Sequence, residues 1–374
     1  MIPRGPMQRA KLFRRVRRVV IKIGTGVLTS RTGGIDRGVF QGIAAESATL
    51  LAGQTDVVIV SSGAIALGVG KLGYAARPKR MDALQACAAA GQTDLMRCWA
   101  DAFAAHGRVT AQVLLTHADL ADRKRFLNAR RALVELSARG AVPVINENDT
   151  VSVDEIAFGD NDALSAQVAN LVGADVLVML SVAEGLLDGD ARVRDVLPGD
   201  RTAERLVRKD TSVGGTGGMS TKVRAARSAA NRGTIAVIAP GKMPGVLGRL
   251  FAGEDVGTVF DAATARLASR ASWIADTLRP RGTIIVDDGA RNALVHKSRS
   301  LLPSGVIRAL GNFGQGAAVE IADVQGRVFA RGLTAYSAKE LEVIAGRRTG
   351  EIEALLGYHL GDEAVHRDDL VILE

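Results

Sequence analysis

The chain has 374 residues, 47% of them hydrophobic and 24% charged, which suits two domains with a sizeable core and excludes a disordered polypeptide. Lysine and arginine (48) outnumber aspartate and glutamate (40), and the net charge of +8 fits an anionic partner, whether a nucleotide or a nucleic acid. No apolar run is long enough to span a bilayer. The two cysteines, Cys87 and Cys98, share one helical stretch without metal or redox spacing, so a cytoplasmic location is expected.

Residues 1–15 read as a basic, untidy N-terminal extension, with Met7 as an alternative start. Arg14, Arg15, Arg17 and Arg18 give it the Arg-rich, acid-poor look of a transit peptide, but Val19-Val20-Ile21 reads as a first buried strand. From there to about Phe260, strand and helix patterns alternate. The strand candidates are Val19–Ile23, Val57–Ser61, Val109–Leu114, Val142–Asn146, Val176–Ser181 and Ile235–Ala239. Several are unbroken runs of Val and Ile, as in a parallel sheet covered on both faces. Helices are expected over Phe40–Leu51, Met81–Ala105, Arg125–Ala138, Ala163–Leu171 and Met219–Asn231. This pattern predicts a three-layer αβα domain over residues 16–262, with ligands at the carboxyl ends of the strands.

A linker over 263–281, containing Trp273, leads to a small, mostly β domain over 282–374. Its expected strands are Thr283–Val286, Ala317–Ile321 and Val328–Gly332, with turn signals at Gly311-Asn312-Phe313-Gly314 and Gln325-Gly326. Its aromatic residues, Phe313, Phe329 and Tyr336, are scattered rather than gathered for base stacking, so RNA binding by this tail is the less favoured expectation.

The polar clusters fall at the ends of the predicted strands. Lys22-Ile23-Gly24-Thr25-Gly26 closes the first strand, and glycines there let backbone N–H groups approach phosphate oxygens. A lone strand lysine is more often solvated, and the Gly-Thr-Gly that follows weighs against that. Ser61-Ser62-Gly63-Ala64 closes the second strand and opens a helix, as an N-cap or as a seat for a carboxylate or phosphate. It is not a nucleophile elbow, and no histidine is placed for a triad. Asn146-Glu147-Asn148-Asp149 and Phe158-Gly159-Asp160-Asn161-Asp162 flank one short segment, as turn chemistry or as the floor of a pocket for a small, amine-bearing molecule. Gly214-Gly215-Thr216-Gly217-Gly218-Met219-Ser220-Thr221-Lys222 is a second phosphate candidate that lacks the Walker A spacing. Two lysines beside two glycine loops suit phosphoryl transfer, with a carboxylate such as Asp162 holding the two ammonium groups in place.

Lys-Ile-Gly-Thr, Val-Ser-Ser-Gly-Ala-Ile, Ile-Asn-Glu-Asn-Asp, Gly-Asp-Asn-Asp and Gly-Thr-Gly-Gly-Met-Ser-Thr-Lys occur in that order. Together they resemble the amino acid kinase family and, within it, the glutamate 5-kinases. Arg125-Phe126-Leu127-Asn128-Ala129-Arg130 and the helix with Gln85 and Gly91-Gln92 also fit, and Leu301-Leu302-Pro303-Ser304-Gly305-Val306 with Val365-His366-Arg367-Asp368-Asp369 resembles a PUA domain. The resemblance implies ATP-dependent phosphorylation of the L-glutamate side-chain carboxylate to γ-glutamyl phosphate, the first step of proline synthesis, with Mg²⁺ bridging the phosphates. It implies catalytic roles for Lys22, Lys222 and Asp162, and glutamate binding by Ser62, Asn146, Asp149, Asp160 and Asn161. The ATP contacts it implies are Lys22, Gly24, Thr25, Ser181, Val182, Thr216, Gly217, Gly218, Met219, Ser220, Thr221 and Lys222, with no protein metal ligand. It also implies a homo-oligomer and handover of a labile acyl phosphate to γ-glutamyl phosphate reductase. The chain departs from the family at Val182, where an aspartate is usual, and at Leu187, where an aromatic residue is usual. Another kinase of the family, acting on a different acid, a carbamate or a nucleotide, is the alternative.

Overall fold

The computed structural model describes residues 6–14, 16–30, 34–151, 160–209, 218–262 and 280–373. The chain divides into two compact units, Met1–Thr264 and Ala265–Glu374. The first opens with α1 (Pro6–Phe13), β1 (Arg18–Ile23), α2 (Thr25–Leu28), α3 (Arg37–Ala52), β2 (Asp56–Ser61), α4 (Ala64–Lys71) and α5 (Met81–Ala104). It continues through β3 (Thr110–Leu115), α6 (His117–Ala121), α7 (Arg123–Ala138), β4 (Val142–Glu147), α8 (Asp160–Val172) and β5 (Val176–Ser181). The short strands β6 (Leu187–Asp188), β7 (Ala191–Arg192) and β8 (Asp195–Val196) precede α9 (Thr202–Lys209), α10 (Met219–Asn231), β9 (Ile235–Pro240), α11 (Val246–Phe251) and β10 (Thr258–Phe260).

Eight of these strands form one sheet in the order β3-β4-β2-β1-β5-β9-β10-β8. From β3 to β9 every neighbouring pair is parallel, and β10 runs antiparallel to β9. The expected Val/Ile runs are the buried central strands, because a parallel sheet covered on both faces has no polar side. Alternation along β1 assigns the faces. Val19, Ile21 and Ile23 pack with Trp99 and Phe103 of α5 and Phe40 of α3. Val20, with Val58 and Met179 of the neighbouring strands, packs against Leu164 and Val168 of α8 and Ala226 of α10. Lys22 follows the parity of Val20, so the period of two turns this lysine toward the α8–α10 layer. The chain runs outward from β1 on the β2 side and returns to β5 on the other side, which makes the carboxyl end of β1 the switch point of the sheet.

Helices α3, α6 and α7 start on side-chain caps. Asp36 accepts from Val39 N–H at the start of α3, and Asp122 accepts from Arg125 N–H at 2.8 Å at the start of α7. Thr116 and Asp119 form a capping box on α6. Helices α4 and α5 touch backbone to backbone. A Cβ on Gly68 would lie 1.8 Å from the Cys87 carbonyl oxygen, and one on Gly91 would lie 1.9 Å from the Ala64 carbonyl oxygen. Helix propensity alone predicts that Gly68→Ala stabilises by about 1 kcal/mol. Overlap with a backbone carbonyl reverses the sign, and we expect a net loss of about 2 kcal/mol, read as a melting temperature lower by several degrees. An unchanged or raised melting temperature would contradict that close helix contact.

The N-terminal stretch departs from the expected untidy extension. Helix α1 is packed, Phe13 lies in the core, and Arg9 is 0% exposed. The Arg9 guanidinium donates to the Arg194 carbonyl at 2.6 Å and pairs with Asp195 at 3.3 Å and Asp255 at 3.1 Å. A buried arginine is tolerated when carbonyls and carboxylates surround it in this way. Cys87 and Cys98 are free and buried. No helix among the described residues is long and apolar enough to cross a membrane.

The second unit contains β11 (Gly282–Val286), α12 (Asp288–Lys297), β12 (Val306–Gly311), β13 (Ala318–Ala322), β14 (Val328–Thr334), α13 (Ala338–Ile344), α14 (Ile352–Leu356) and β15 (Val365–Ile372). Its five-stranded sheet has the order β12-β11-β13-β14-β15, antiparallel except where β11 meets β13. The three expected strands are present as β11, β13 and β14. The strands β12 and β15 and the helices are additions to the sequence expectation. Val286, Val319, Phe329, Tyr336 and Leu341 form the core of this unit. The aromatic residues Phe313, Phe329 and Tyr336 are all buried there.

Candidate active site

The first turn of α8 carries the centre of the site. Asp162, 1% exposed, forms an ion pair with Lys22 Nζ at 2.7 Å through one carboxylate oxygen. Its other oxygen lies 3.3 Å from Lys222 Nζ and accepts from Thr221 Oγ1 at 2.7 Å. Lys22 comes from the end of β1, while Thr221 and Lys222 come from the first turn of α10, so three elements converge on one carboxylate. Burial alone would raise the Asp162 carboxyl, but the two ammonium groups outweigh it and hold it below the usual carboxylate range. Burial lowers Lys22, with Lys222 adding to that effect and Asp162 opposing it. The carboxylate on the first turn of a helix also sits where the helix dipole favours negative charge.

One residue earlier, Asn161 begins a chain of amides. Its Nδ2 donates to Ser62 Oγ at 2.9 Å and to Asn146 Oδ1 at 3.0 Å. Asn146 Nδ2 then donates to Gln92 Oε1 at 2.8 Å. Ser62 follows β2, Asn146 is the last residue but one of β4, and Gln92 is presented by α5 directly after the close Gly91 contact. Behind Ser62, Trp99 Nε1 donates to Ser61 Oγ at 2.9 Å, and Ser61 Oγ donates to the Ser62 carbonyl at 3.1 Å. Gly63 completes that turn at φ +115°, a left-handed conformation that suits glycine.

The structure therefore brings together Lys22, Ser62, Asn146, Asn161, Asp162, Thr221 and Lys222 from the expected set. Asp149 lies half-buried in the turn after β4. Asp160 is the first residue of α8, and its side chain lies outside the described residues, as do Phe158, Gly159, Thr216 and Gly217. Among the expected nucleotide contacts, Gly24 N–H donates to the Leu180 carbonyl at 3.2 Å and ties the end of β1 to β5. Thr25 opens α2, and Gly218, Met219 and Ser220 lead into Lys222 on α10. Ser181 is buried at the end of β5, whereas Val182 is 68% exposed. A Cβ on Gly26 would lie 3.2 Å from Val182 Cγ1, so Val182 sits beside the glycine turn. Thr221 stands next to Lys222 in the sequence, whereas no local pattern marks Gln92, whose place in the amide chain depends on tertiary distance.

Among the described residues no three His, Cys, Asp or Glu side chains gather as metal ligands. The donors around Asp162 are two ammonium groups and a hydroxyl, which suit phosphate oxygens rather than a cation. Buried lysines beside glycine-rich turns at a switch point can bind and transfer a phosphoryl group. The adjoining amides suit a small zwitterion.

The comparisons with known proteins agree with that chemistry. Residues 17–239 match the amino acid kinase family, and residues 282–356 match the PUA domain. The chain is similar to the glutamate 5-kinase of Myxococcus xanthus, 52% identical over 96% of this chain and 97% of that one. It is also similar to the glutamate 5-kinase of Pelobacter propionicus, 49% identical over 98% of this chain and 100% of that one. The glutamate 5-kinase of Anaeromyxobacter dehalogenans is 50% identical over 98% of this chain and 99% of that one. The chain belongs to the amino acid kinase family, with a PUA domain after the kinase domain.

Proposed function

We propose that this enzyme transfers the γ-phosphoryl group of ATP to the side-chain carboxylate of L-glutamate, giving γ-glutamyl 5-phosphate and ADP, the first step of proline biosynthesis. The observation that carries this reading is the junction on α8, where Asn161 of the amide chain and Asp162 of the lysine cluster are consecutive residues. An amino acid held by the first would present its side chain to a phosphoryl group held by the second. The full-length similarity to glutamate 5-kinases supports glutamate as that amino acid.

Lys22 and Lys222 balance the negative charge that accumulates on the phosphoryl oxygens and on the leaving β-phosphate as the P–O bond lengthens. Asp162 keeps two like charges close together in the resting site, so little reorganisation is needed when the phosphoryl group arrives. The N-terminal amides of α10, from Met219 onward, face the same region and favour phosphate. A carboxylate oxygen of glutamate attacks phosphorus, the new P–O bond forms, and the bond to the bridging oxygen of ADP breaks. No general base is required, because the acceptor is ionised at neutral pH. Ser62, Asn146, Asp149, Asp160 and Asn161 are the proposed glutamate contacts. Gly24, Thr25, Ser181, Val182 and residues 216–222 are the proposed nucleotide contacts. Mg²⁺ would supply further charge on the phosphates, and among the described residues no three His, Cys, Asp or Glu side chains gather to hold it.

The test is ATP turnover with Mg²⁺ and hydroxylamine, comparing L-glutamate, N-acetylglutamate, aspartate and no acceptor. Glutamate-dependent hydroxamate is the expected product. Turnover confined to another acceptor would replace glutamate in this reading, and nucleotide binding without turnover on any acceptor would overturn it. Asp149→Asn is expected to raise the glutamate KM about tenfold or more with little change in kcat, because the lost charge pairs with the substrate ammonium before and during transfer alike. An unaltered KM would remove Asp149 from the pocket. Handover of the acyl phosphate to γ-glutamyl phosphate reductase and a homo-oligomeric state accompany this proposal. So do the boundaries 16–262 for the kinase domain and 282–374 for the PUA-like domain.

A further inference from the structure

Two buried polar atoms of the amide chain lack a partner. Gln92 Nε2, a donor, is unsatisfied at one end, and Asn161 Oδ1, an acceptor, is unsatisfied at the other. Their signs follow from the hydrogen bonds between them. Asn161 Nδ2 is spent on Ser62 and Asn146, which leaves its oxygen outward, and Gln92 Oε1 is spent on Asn146, which leaves its nitrogen outward. Buried side-chain polar groups in folded proteins are nearly always paired, so a matched orphan donor and acceptor on one hydrogen-bonded chain points to a ligand with the opposite pattern. An α-amino acid has that pattern in its carboxylate and its ammonium group.

We infer that Gln92 is a specificity-determining residue of the acceptor pocket, its side-chain N–H donating to the α-carboxylate of the amino acid while Asn161 Oδ1 accepts from its α-ammonium. The inference rests on the glutamate reading above. The order of the chain gives the direction. Asn161 adjoins Asp162 and the phosphoryl site, whereas Gln92 is separated from it by Asn146, so Gln92 holds the end of the substrate that does not react. The α4–α5 contact fixes Gln92 in place. Gly91, with no room for a Cβ against the Ala64 carbonyl, brings the α5 backbone against the start of α4, directly after Ser62-Gly63. A site that hydrogen-bonds a substrate group rejects analogues lacking that group more strongly than an apolar pocket could, because its own buried atoms are left unpaired. 4-Aminobutanoate keeps the reacting carboxylate and the amine but lacks the α-carboxylate. Glutamate α-amide keeps the reacting carboxylate and replaces the α-carboxylate by a neutral group that can donate as well as accept.

The experiment is steady-state kinetics of the full chain with L-glutamate, glutamate α-amide and 4-aminobutanoate, for the wild type, Gln92→Glu and Gln92→Met. In Gln92→Glu the acceptor toward Asn146 is kept and the free donor becomes a carboxylate oxygen. Its glutamate KM should rise at least about tenfold with the ATP KM unchanged. The preference for glutamate over its α-amide should fall about 100-fold or reverse. Gln92→Met should narrow the preference for glutamate over 4-aminobutanoate by about the same factor. A merely structural role would depress all acceptors together and leave these ratios unchanged, which would overturn the inference. Calorimetric titration with L-glutamate separates this result from failure of the kinase reading. Wild-type binding that weakens about tenfold in Gln92→Glu, without turnover, would preserve the pocket assignment and remove the reaction. Turnover with unchanged acceptor ratios would do the reverse.

Discussion

Lys222→Ala is expected to lower kcat by about 100- to 1000-fold while changing the glutamate KM by less than about threefold. The ammonium group is buried on the first turn of α10, and the Asp162 oxygen it faces lies 3.3 Å away, longer than the 2.7 Å contact of Lys22. A compact ammonium group on the first turn of α10, beside the proposed phosphoryl site, meets the charge that develops on the transferring oxygens. Its charge therefore counts for more in the transition state than in the ground state, and only that difference appears in kcat. Lys222→Arg should recover little, since a planar fork does not reproduce a compact point charge in a site built around one carboxylate. Rapid-quench measurement of a single turnover would locate the loss in the chemical step. An unchanged kcat would remove Lys222 from phosphoryl transfer.

Asp162→Asn should damage stability and catalysis together. Two ammonium groups share one carboxylate that is 1% exposed, and the neutral amide removes that shared counter-charge. Removing one partner of a buried ion pair costs about 3–5 kcal/mol, because the remaining charge stays desolvated. The cost has a pH signature. The folded-state pKa of Asp162 lies below its unfolded value, so the stabilisation it contributes is complete above the unfolded value, about 3.9, and is lost as pH falls through the lower folded value. The stability gap between wild type and variant should therefore be full at neutral pH and shrink in acid below about pH 4. Urea unfolding at a series of pH values measures the gap, and a gap that did not shrink in acid would mean the carboxylate acts through shape rather than charge. Bound nucleotide phosphates should narrow the gap at neutral pH by supplying the missing negative charge.

Much of this was legible in the sequence, for identifiable reasons. The central strands β1, β2, β5 and β9 read through because residues buried on both faces form unbroken apolar runs. Helix α10 was placed at both ends, since a glycine loop opens it and the Ala- and Arg-rich period holds to Asn231. Lys22 and Lys222 stand out as lysines beside glycines in a chain rich in arginine, Asp162 stands in an acid- and amide-rich cluster, and the structure brings the three together. The two-residue strands β6, β7 and β8 carry no period to detect. Helix α1 was misread because its sequence is basic, and the burial of Arg9 depends on carbonyl oxygens near residues 194 and 256. The edge strand β12 was missed for a similar reason. Its exposed Ile307 and Leu310 blur the alternation that would have marked Val306 and Ala309 as inward. Gln92 needed distances across separations of 54 residues to Asn146 and beyond, which no local pattern encodes.

The placement of Asn161 and Asp162 on one helical turn limits how the acceptor could be changed. Successive residues of a helix point about 100° apart and move as one rigid piece. Any shift of α8 that reshapes the amino-acid pocket therefore also displaces the carboxylate that sets the spacing of the two lysines. Attempts to broaden the choice of acceptor by redesigning α8 should lose turnover before they gain a new substrate. Helix α5 enters the amide chain through Gln92, while the contacts described for the lysine cluster come from β1, α8 and α10. An engineer seeking a different amino acid should work from α5 and leave α8 as the fixed datum of the machine.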